Sequence, residues 1–205
     1  MIKVDATLVG TVKRGALLRN KDGKNYLSYV LIVNVPAGEG SHKVMEVIMS
    51  DKDTSSNYKE GSRLLVNGSL DIRKRDDELA FYLSSEKVTE KDVPADDSIG
   101  GELKFRGRLK NDDVCETKED KNGRTYLLFN GYSSEKVGEN FTSIWFRFLY
   151  FPPKDADTSK LRPDWMKAKG RFSATGSFEV SVFKDEFNFS SVVKSMEEYV
   201  YEPKN

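Results

Sequence analysis

Apolar residues recur at every second position along much of this chain, which is the pattern of half-buried β-strands. The run from Leu64 to Ile72 places an apolar residue or glycine at each alternate position. The same alternation occurs over Phe105–Leu109 and over Met166–Phe172. Turn-forming pairs such as Asn122-Gly123 separate the runs. The pattern predicts an all-β protein with little helix.

The two halves of the chain resemble each other on either side of an acidic segment. That segment, Thr89–Gly101, contains a proline and ends in paired glycines, a composition typical of a linker. Asp22–Leu27 is matched by Asn122–Leu127, 100 positions later. Two divergent copies of one five-strand unit explain this better than one larger β-sandwich, which is the alternative. The predicted organisation is an N-terminal domain over 1–92, a linker over 93–100 and a C-terminal domain over 101–205.

Glycines interrupt otherwise good strand patterns at matched places in the two halves. They are Gly10 and Gly68 in the first half, and Gly107 and Gly170 in the second. Glycine weakens a strand unless it allows a bend or a close backbone approach. A five-stranded sheet that closes into a small barrel needs such bends, as the OB-fold does. The expected fold is therefore two tandem OB-folds, each a five-stranded Greek-key barrel.

Three segments resemble those of bacterial single-stranded DNA-binding proteins. Gly61–Arg75 is similar to that family's fourth strand, in which a turn leads into an apolar strand, a glycine and a basic arm. Thr142–Phe151 resembles its third strand, where tryptophan and arginine stand two residues apart. Leu8-Val9-Gly10 resembles its first strand. The resemblance, to bacterial or phage-type members with two OB-folds, implies sequence-tolerant binding of single-stranded DNA in replication, recombination or repair in the cytoplasm.

Three departures from that family change the expectation. The family usually has one OB unit per chain, whereas two are predicted here. The first half has no tryptophan on its third strand, where Val44–Ile48 is apolar or acidic. The last residues, 198–205, contain neither a flexible glycine- or glutamine-rich tail nor an acidic tip ending in phenylalanine. In the family that tip recruits partners, so its absence favours a specialised protein encoded by a phage or plasmid.

Composition excludes several classes of chemistry. One cysteine and one histidine allow neither a disulfide nor a multi-histidine metal site. No phosphate-binding loop or nucleotide fingerprint is present, so we expect no enzyme, cofactor or metal. The sequence contains no run of about 18 apolar residues, the length that a membrane-spanning helix needs. The 33 basic residues balance the 33 acidic ones, so any case for a polyanionic ligand depends on where the charges lie.

Cations and aromatic residues concentrate on three predicted strands of the second half. On the third strand Trp145, Arg147 and Phe151 share one side, and Phe146 and Phe148 take the other. The side with arginine is expected to face outward, because a buried unpaired charge is heavily penalised. Cations also share one side of the predicted first and fourth strands: Arg106, Arg108, Lys110, Lys167, Lys169 and Arg171.

The remaining candidates lie on hairpins. Arg73, Lys74 and Arg75 form the basic arm of the first half. Tyr26 recurs as Tyr126 in the second copy, next to Arg124, and such a repeated tyrosine fits either a core or a base-stacking role. The full set of candidate nucleic-acid-binding residues is Trp145, Arg147, Phe151, Arg106, Arg108, Lys110, Arg124, Tyr126, Lys167, Lys169, Arg171, Tyr26, Arg73, Lys74 and Arg75.

Other interpretations of the sequence remain open. The cations could be a solvated face, and OB barrels also serve as protein–protein adaptors without nucleic-acid binding. A nuclease would need clustered carboxylates for a metal ion. RNA is a possible ligand beside DNA. A homodimer is also expected, because the first half's third strand is apolar on both sides, at Val44, Met45, Val47, Ile48 and Met49.

Overall fold

A computed structural model describes residues 1–75, 78–112, 114–153, 156 and 161–200 of the chain. These residues form strands and turns, and no helix among them is long and apolar enough to cross a membrane. The all-β prediction is confirmed. Within the described residues the strands are β1 (Ile2–Lys21), β2 (Lys24–Pro36), β3 (His42–Asp51), β4 (Arg63–Arg75), β5 (Glu78–Thr89), β6 (Ser98–Leu109), β7 (Cys115–Glu119), β8 (Thr125–Val137), β9 (Asn140–Tyr150), β10 (Arg171–Phe183) and β11 (Glu186–Glu198).

The chain divides into two compact units. The N-terminal unit comprises Lys3–Gly101 and Glu179–Asn188. The C-terminal unit comprises Met1–Ile2, Glu102–Phe178 and the residues from Phe189 onward. Each unit therefore contains residues from both halves of the sequence, whereas the predicted domains are continuous segments.

The strands of the N-terminal unit close into a five-stranded barrel. β1 pairs antiparallel with β2 and with β4, and β2 pairs antiparallel with β3. β5 closes the barrel by pairing parallel with β3 and antiparallel with β4. The resulting order, β1-β2-β3-β5-β4 and back to β1, is the topology of the OB-fold.

The C-terminal unit repeats that order with its first strand divided in two. β8 pairs antiparallel with β6, β7 and β9, and β9 pairs parallel with β11. β10 lies between β11 and β6 and completes the ring. β6 and β7 together therefore take the place that the single long strand β1 occupies in the N-terminal unit.

The alternation of apolar residues determines which side of each strand fills the barrel. In β4 the predicted inward residues Leu64, Val66 and Leu70 are fully buried. In the C-terminal unit the core consists largely of phenylalanine rings, and Phe148 lies 4.9 Å from Phe105 and 5.1 Å from Phe129 between ring centroids. Aromatic pairs at these separations add to the stabilisation from buried area.

The two cores differ by a compensating exchange of volume. Leu31 and Leu64 are fully buried in the N-terminal unit. At the matching places the C-terminal unit has Gly131 and Phe172, and a Cβ added to Gly131 would lie 2.6 Å from Cζ of Phe172. The missing side chain at Gly131 makes room for the larger ring opposite it.

Glycines bring strands together at corresponding places in both barrels. A Cβ on Gly10 would overlap the carbonyl oxygen of Ile32, and one on Gly107 would overlap that of Tyr132. A Cβ on Gly68 would likewise overlap the carbonyl oxygen of Ser84, and one on Gly176 would overlap that of Val192. The two barrels therefore have the same close approaches at corresponding places.

The fourth strand of the second copy begins later in the chain than the alternation around Met166–Phe172 predicts. Residues 165–170 form turns, Lys169 has a positive φ of 59°, and β10 starts only at Arg171. The glycine equivalent to Gly68 is therefore Gly176, and the match proposed for Gly170 is wrong. Lys167 and Lys169 do not share a strand face with Arg171.

The segment predicted to be a linker is attached to the N-terminal barrel through Asp97. Its side chain is only 7% exposed and pairs with Arg63. Its Oδ2 accepts hydrogen bonds from the Asn34 backbone N–H at 2.8 Å and from the Asn34 side-chain amide at 2.7 Å. Burial raises the pKa of Asp97, but the hydrogen bonds from Arg63 and Asn34 outweigh it and hold that pKa below its ordinary value. β6 then begins at Ser98, within the predicted linker.

Gly68→Ala is expected to lower the free energy of unfolding by about 1–3 kcal/mol, because the new Cβ must displace backbone at Ser84. Urea denaturation followed by circular dichroism measures the change. Ser69→Ala, at the exposed neighbouring position, is the control and should have little effect. Equal stability of the two variants would contradict the close approach.

Asp97→Asn is expected to cost about 1–3 kcal/mol of unfolding free energy at pH 7, the usual worth of hydrogen bonds to a charged group. The folded-state pKa of Asp97 is depressed, so its contribution is full above the unfolded pKa of about 3.9 and is lost as pH falls through the folded value. The difference from wild type should therefore shrink below about pH 4. Both tryptophans lie in the C-terminal unit, so circular dichroism is the suitable probe, with exposed Asp96→Asn as the control. A difference that stays constant down to pH 2 would contradict this origin of the stabilisation.

Candidate nucleic-acid interface

The outward side of β9 carries the tryptophan and the arginine. Trp145 is 49% exposed and Arg147 is also exposed, whereas Phe146 and Phe148 are 1% and 0% exposed. The prediction that the arginine-bearing side of this strand faces outward is confirmed. The phenylalanines hold β9 against the core and thereby fix the direction in which Trp145 points.

An aromatic pair with a flanking arginine crosses three strands of the C-terminal unit. Tyr132 on β8 is directly opposite Trp145, and their ring centroids are 4.8 Å apart. β8 also pairs with β6 along its other edge, where Arg108 is directly opposite Tyr132. Arg147 lies two residues from Trp145 along β9, opposite Asn130. We call Arg108, Tyr132, Trp145 and Arg147 the upper cluster.

A second aromatic pair lies on the same side of β8 and just beyond β9. Tyr126 and Phe151 are stacked, with ring centroids 5.0 Å apart and planes at 28°. The Arg124 guanidinium lies 4.8 Å from the Phe151 ring centroid and donates a hydrogen bond to the Pro152 carbonyl oxygen at 3.2 Å. We call Arg124, Tyr126 and Phe151 the lower cluster. All three are predicted site residues that the fold brings together.

The charges near these clusters are mainly positive. Glu116 on β7 forms an ion pair with Lys118 at 2.9 Å. The pKa of Glu116 is held below its ordinary value, first by the hydrogen bond and charge of Lys118 and then by Lys110 and Arg147. Cations from three segments of the unit thus act on one carboxylate. A phosphate group near this face would be attracted by Lys110 and Arg147, while Glu116 offsets the charge of Lys118.

The other predicted cations of the second half lie beside this face in a different arrangement from the predicted one. The backbone N–H of Lys169 donates to the Lys110 carbonyl oxygen at 3.3 Å, so the turn brings these two residues together. The Arg106 guanidinium lies 5.0 Å from the Tyr199 ring centroid, and the Tyr199 backbone N–H donates to the Arg171 carbonyl oxygen at 3.1 Å.

The N-terminal unit has different chemistry at the places that match the upper cluster. Ile32 and Glu46 are the directly opposed pair where the second copy has Tyr132 and Trp145. Val30, which is buried, and Ile48, which is exposed, are opposed where the second copy has Asn130 and Arg147. These places therefore carry no aromatic ring, and the cation beside them, Lys13, is paired with Glu46.

The basic arm of the first half is partly neutralised. Arg73 donates two hydrogen bonds to Asp71 Oδ2, at 2.8 and 2.7 Å. The guanidinium groups of Arg73 and Arg75 lie 5.8 and 5.9 Å from the Tyr82 ring centroid. Lys74 is half-buried beside them on β4. The acidic residues that follow the arm, 76 and 77, lie outside the described residues.

Tyr26 and Tyr126 take the same place in their two barrels. Both are half-buried at the start of the second strand, on the side away from the fully buried Leu27 and Leu127. The structure therefore places both tyrosines on the outward side of the barrel. The sequence had left open whether they point outward or into the core.

Tyr132 is the site residue that the sequence reasoning missed. The two-residue alternation that begins at Tyr126 reaches Tyr132 after three steps along β8, so the signal was present. Lys118 was also missed, and it lies directly opposite Tyr126 on β7. Among the described residues no group of three or more His, Cys, Asp or Glu side chains could hold a metal ion.

Comparison with known proteins gives structural likenesses only. No known protein family and no curated protein matches the sequence. Two crystal structures of the single-stranded DNA-binding protein from Thermus aquaticus, a deletion mutant and the wild type, cover 100% of this chain at 12% identity. The alignments span 97% and 96% of those chains, with TM-scores of 0.46 and 0.43. At this identity and these TM-scores, the likenesses establish neither a family nor a ligand for this chain.

Proposed function

We propose that the chain binds single-stranded DNA without sequence preference and serves in replication, recombination or repair. The observation that carries this proposal is the outward row of Arg108, Tyr132 and Trp145 across three strands of one barrel. An exposed aromatic ring stacks on any base, for about 1–3 kcal/mol each, and neighbouring cations contact the phosphates. A solvated cationic face would not require exposed aromatic rings between the cations.

The two clusters give the strand two separate stacking platforms on one face. Tyr126 and Tyr132 are on the same side of β8, and six strand residues at about 3.3 Å each place them about 20 Å apart. Different bases would therefore stack on the upper and lower clusters, with Arg147 and Arg124 available for the backbone between and beside them. Binding needs no bond-making step, so we assign no catalytic residue and no cofactor.

The ligand on this face is defined by its single-stranded form. A base is available for stacking only when it is unpaired, and stacking does not read the base identity. The sugar is not discriminated by stacking either, so RNA of the same length should compete equally in this proposal. The corresponding setting is the cytoplasm of a bacterium, with the gene carried by the cell, a phage or a plasmid.

A protein–protein contact is the second candidate, and it concerns the N-terminal unit. Val44 and Ile48 on β3 are 46% and 40% exposed, while Met45, Val47 and Met49 on the same strand are buried. Exposed apolar strand surface favours a covering partner. We propose a homodimer that uses this side of β3, while the C-terminal unit binds the nucleic acid.

Trp145→Ala is expected to weaken binding of oligo-dT by about 1–3 kcal/mol, because a stacking ring is lost. Anisotropy of a fluorescein-labelled oligonucleotide measures it, since the variant lacks the tryptophan that would otherwise report binding. Unlabelled oligo-dT and oligo-U of equal length, added as competitors, compare DNA with RNA.

Phe183→Ala provides the matched control. Phe183 is a 66% exposed aromatic residue of the N-terminal unit, whereas both clusters belong to the C-terminal unit. The Phe183→Ala variant should bind oligo-dT with the affinity of the wild type. If the wild type does not bind oligo-dT, or if both variants lose affinity equally, the proposed stacking surface is wrong. Point substitutions are preferable to truncation here, because each unit includes residues from both halves of the chain.

Ile48→Glu is expected to convert the dimer to a monomer by placing a charge on the apolar side of β3. Light scattering at micromolar concentration should give twice 23.3 kDa for the wild type and 23.3 kDa for the variant. A wild-type mass of 23.3 kDa would contradict the homodimer and leave the binding proposal unaffected.

A further inference from the structure

The last two strands of the second copy extend beyond the unit that they help to build. β10 up to Phe178 and β11 from Phe189 belong to the C-terminal unit. The hairpin between them, Glu179–Asn188, belongs to the N-terminal unit, and we call it the strap. The corresponding strands of the first copy, β4 and β5, lie entirely within the N-terminal unit. Only the second copy therefore contributes its hairpin to the other unit.

The N-terminal barrel has an opening where its two parallel strands begin. β3 and β5 pair with each other over Val47–Ser50 and Phe81–Ser84. The residues just before these, 42–46 of β3 and 78–80 of β5, pair with β2 and β4 on their other sides. In the described part of the chain no ladder joins these two stretches to each other. One edge of each strand is thus left without a strand partner, and we call this place the β3–β5 opening.

The strap contacts both strands at this opening. On the β3 side, Lys43 Nζ donates hydrogen bonds to the backbone oxygen of Asp185 at 2.7 Å and to its carboxylate Oδ1 at 3.1 Å. On the β5 side, the Phe187 ring packs edge-on against Phe81, with ring centroids 5.7 Å apart and planes at 87°. Lys43 Nζ also lies 5.4 Å from the Phe187 centroid. The strap therefore bridges two strands that do not pair with each other here.

One side of β11 contributes apolar side chains to both units. Phe189 is 5% exposed and belongs to the C-terminal unit. Phe187 lies two residues earlier on the same side of the strand and is half-buried in the N-terminal unit, whereas Glu186 and Asn188 are exposed. The backbone between the two rings is a single uninterrupted strand. A change in the order of one unit can therefore be transmitted to the other along β11.

The contacts that hold the strap are individually weak. The side chains of Lys43 and Asp185 are 28% and 88% exposed, and ion pairs as accessible as this one contribute little and are screened by salt. The edge-on ring pair and the cation near the Phe187 ring add modest stabilisation. Contacts of this strength allow the strap to open locally without unfolding of the barrel that it contacts.

We propose that the strap is a latch that couples the two units: while it is docked at the β3–β5 opening they unfold together, and after its release they unfold separately. This inference goes beyond the proposed function and depends on no ligand. Phe189, the residue directly after the strap, is opposite Phe146 on β9, between Trp145 and Arg147 in the sequence. The latch thus links the order of the N-terminal barrel to the strand that carries the candidate site.

Thermal unfolding of the full-length chain, without nucleic acid, tests the latch with two probes. Both tryptophans lie in the C-terminal unit, so their fluorescence reports that unit, whereas circular dichroism reports the strands of both. Coincident curves from the two probes indicate one cooperative transition, and we expect them for the wild type. In the variant with Lys43→Met and Phe187→Ala, the dichroism should change first and the fluorescence should follow about 5–10 °C later.

Hydrogen exchange shows where the variant has loosened. Amides of residues 179–188 should exchange about tenfold faster than in the wild type, because a ring pair and a charged contact are lost. Phe183→Ala is the matched control, since it removes a 66% exposed ring from the same strap. It should change neither the exchange nor the coincidence of the curves. Lys43→Met alone keeps the contact between Phe187 and Phe81, so it should separate the curves less, and it replaces the double variant if that variant does not fold.

Three outcomes would overturn the latch. Curves of the variant that stay coincident at a lower temperature mean that the strap stabilises the fold without coupling the units. Wild-type curves that are already separate mean that the units are not coupled. Equal separation in Phe183→Ala means that the contacts at the β3–β5 opening are not its cause. All three leave the binding of oligo-dT untouched, so failure of this inference and failure of the proposed function are distinguishable.

Discussion

The close approach of strands at Gly10, Gly68, Gly107 and Gly176 is the constraint on which both barrels depend. At each place a carbonyl oxygen of a neighbouring strand occupies the space of a Cβ. Because the side-chain period of a strand is two, fixing one position of a strand against its neighbour also fixes which residues point outward. The exposure of Trp145 and the burial of Phe146 follow from this register, since they are adjacent on one strand.

A shared frame has allowed the two barrels to diverge on their surfaces. Positions on the second and third strands correspond pair by pair, yet one barrel has Tyr132 with Trp145 where the other has Ile32 with Glu46. The backbone hydrogen bonds of a ladder do not depend on outward side chains. Each outer face could therefore change without loss of the fold, which is the physical basis for proposing different partners for the two faces.

Most of the fold and the outward direction of Trp145 and Arg147 follow from the alternation of apolar residues, as β4 and β9 show. The alternation misplaced the fourth strand of the second copy, because Met166–Gly170 has apolar or small residues at every second position but folds as turns, with Lys169 at positive φ. A local pattern cannot reveal that the ladder continues elsewhere. The contact between Arg124 and Phe151 depends on how distant strands pair, so the local pattern could not predict it either.

The exchange between Leu31 with Leu64 and Gly131 with Phe172 has a consequence for how this protein can evolve. Carrying Phe172 without Gly131 would overfill a barrel, and carrying Gly131 without Phe172 would leave a cavity. A genetic event that copies a short stretch of one half into the other would transfer one member of the pair and not its partner. Such a hybrid would be less stable than either parent, so the paired exchange is expected to disfavour the transfer of short segments between the two halves.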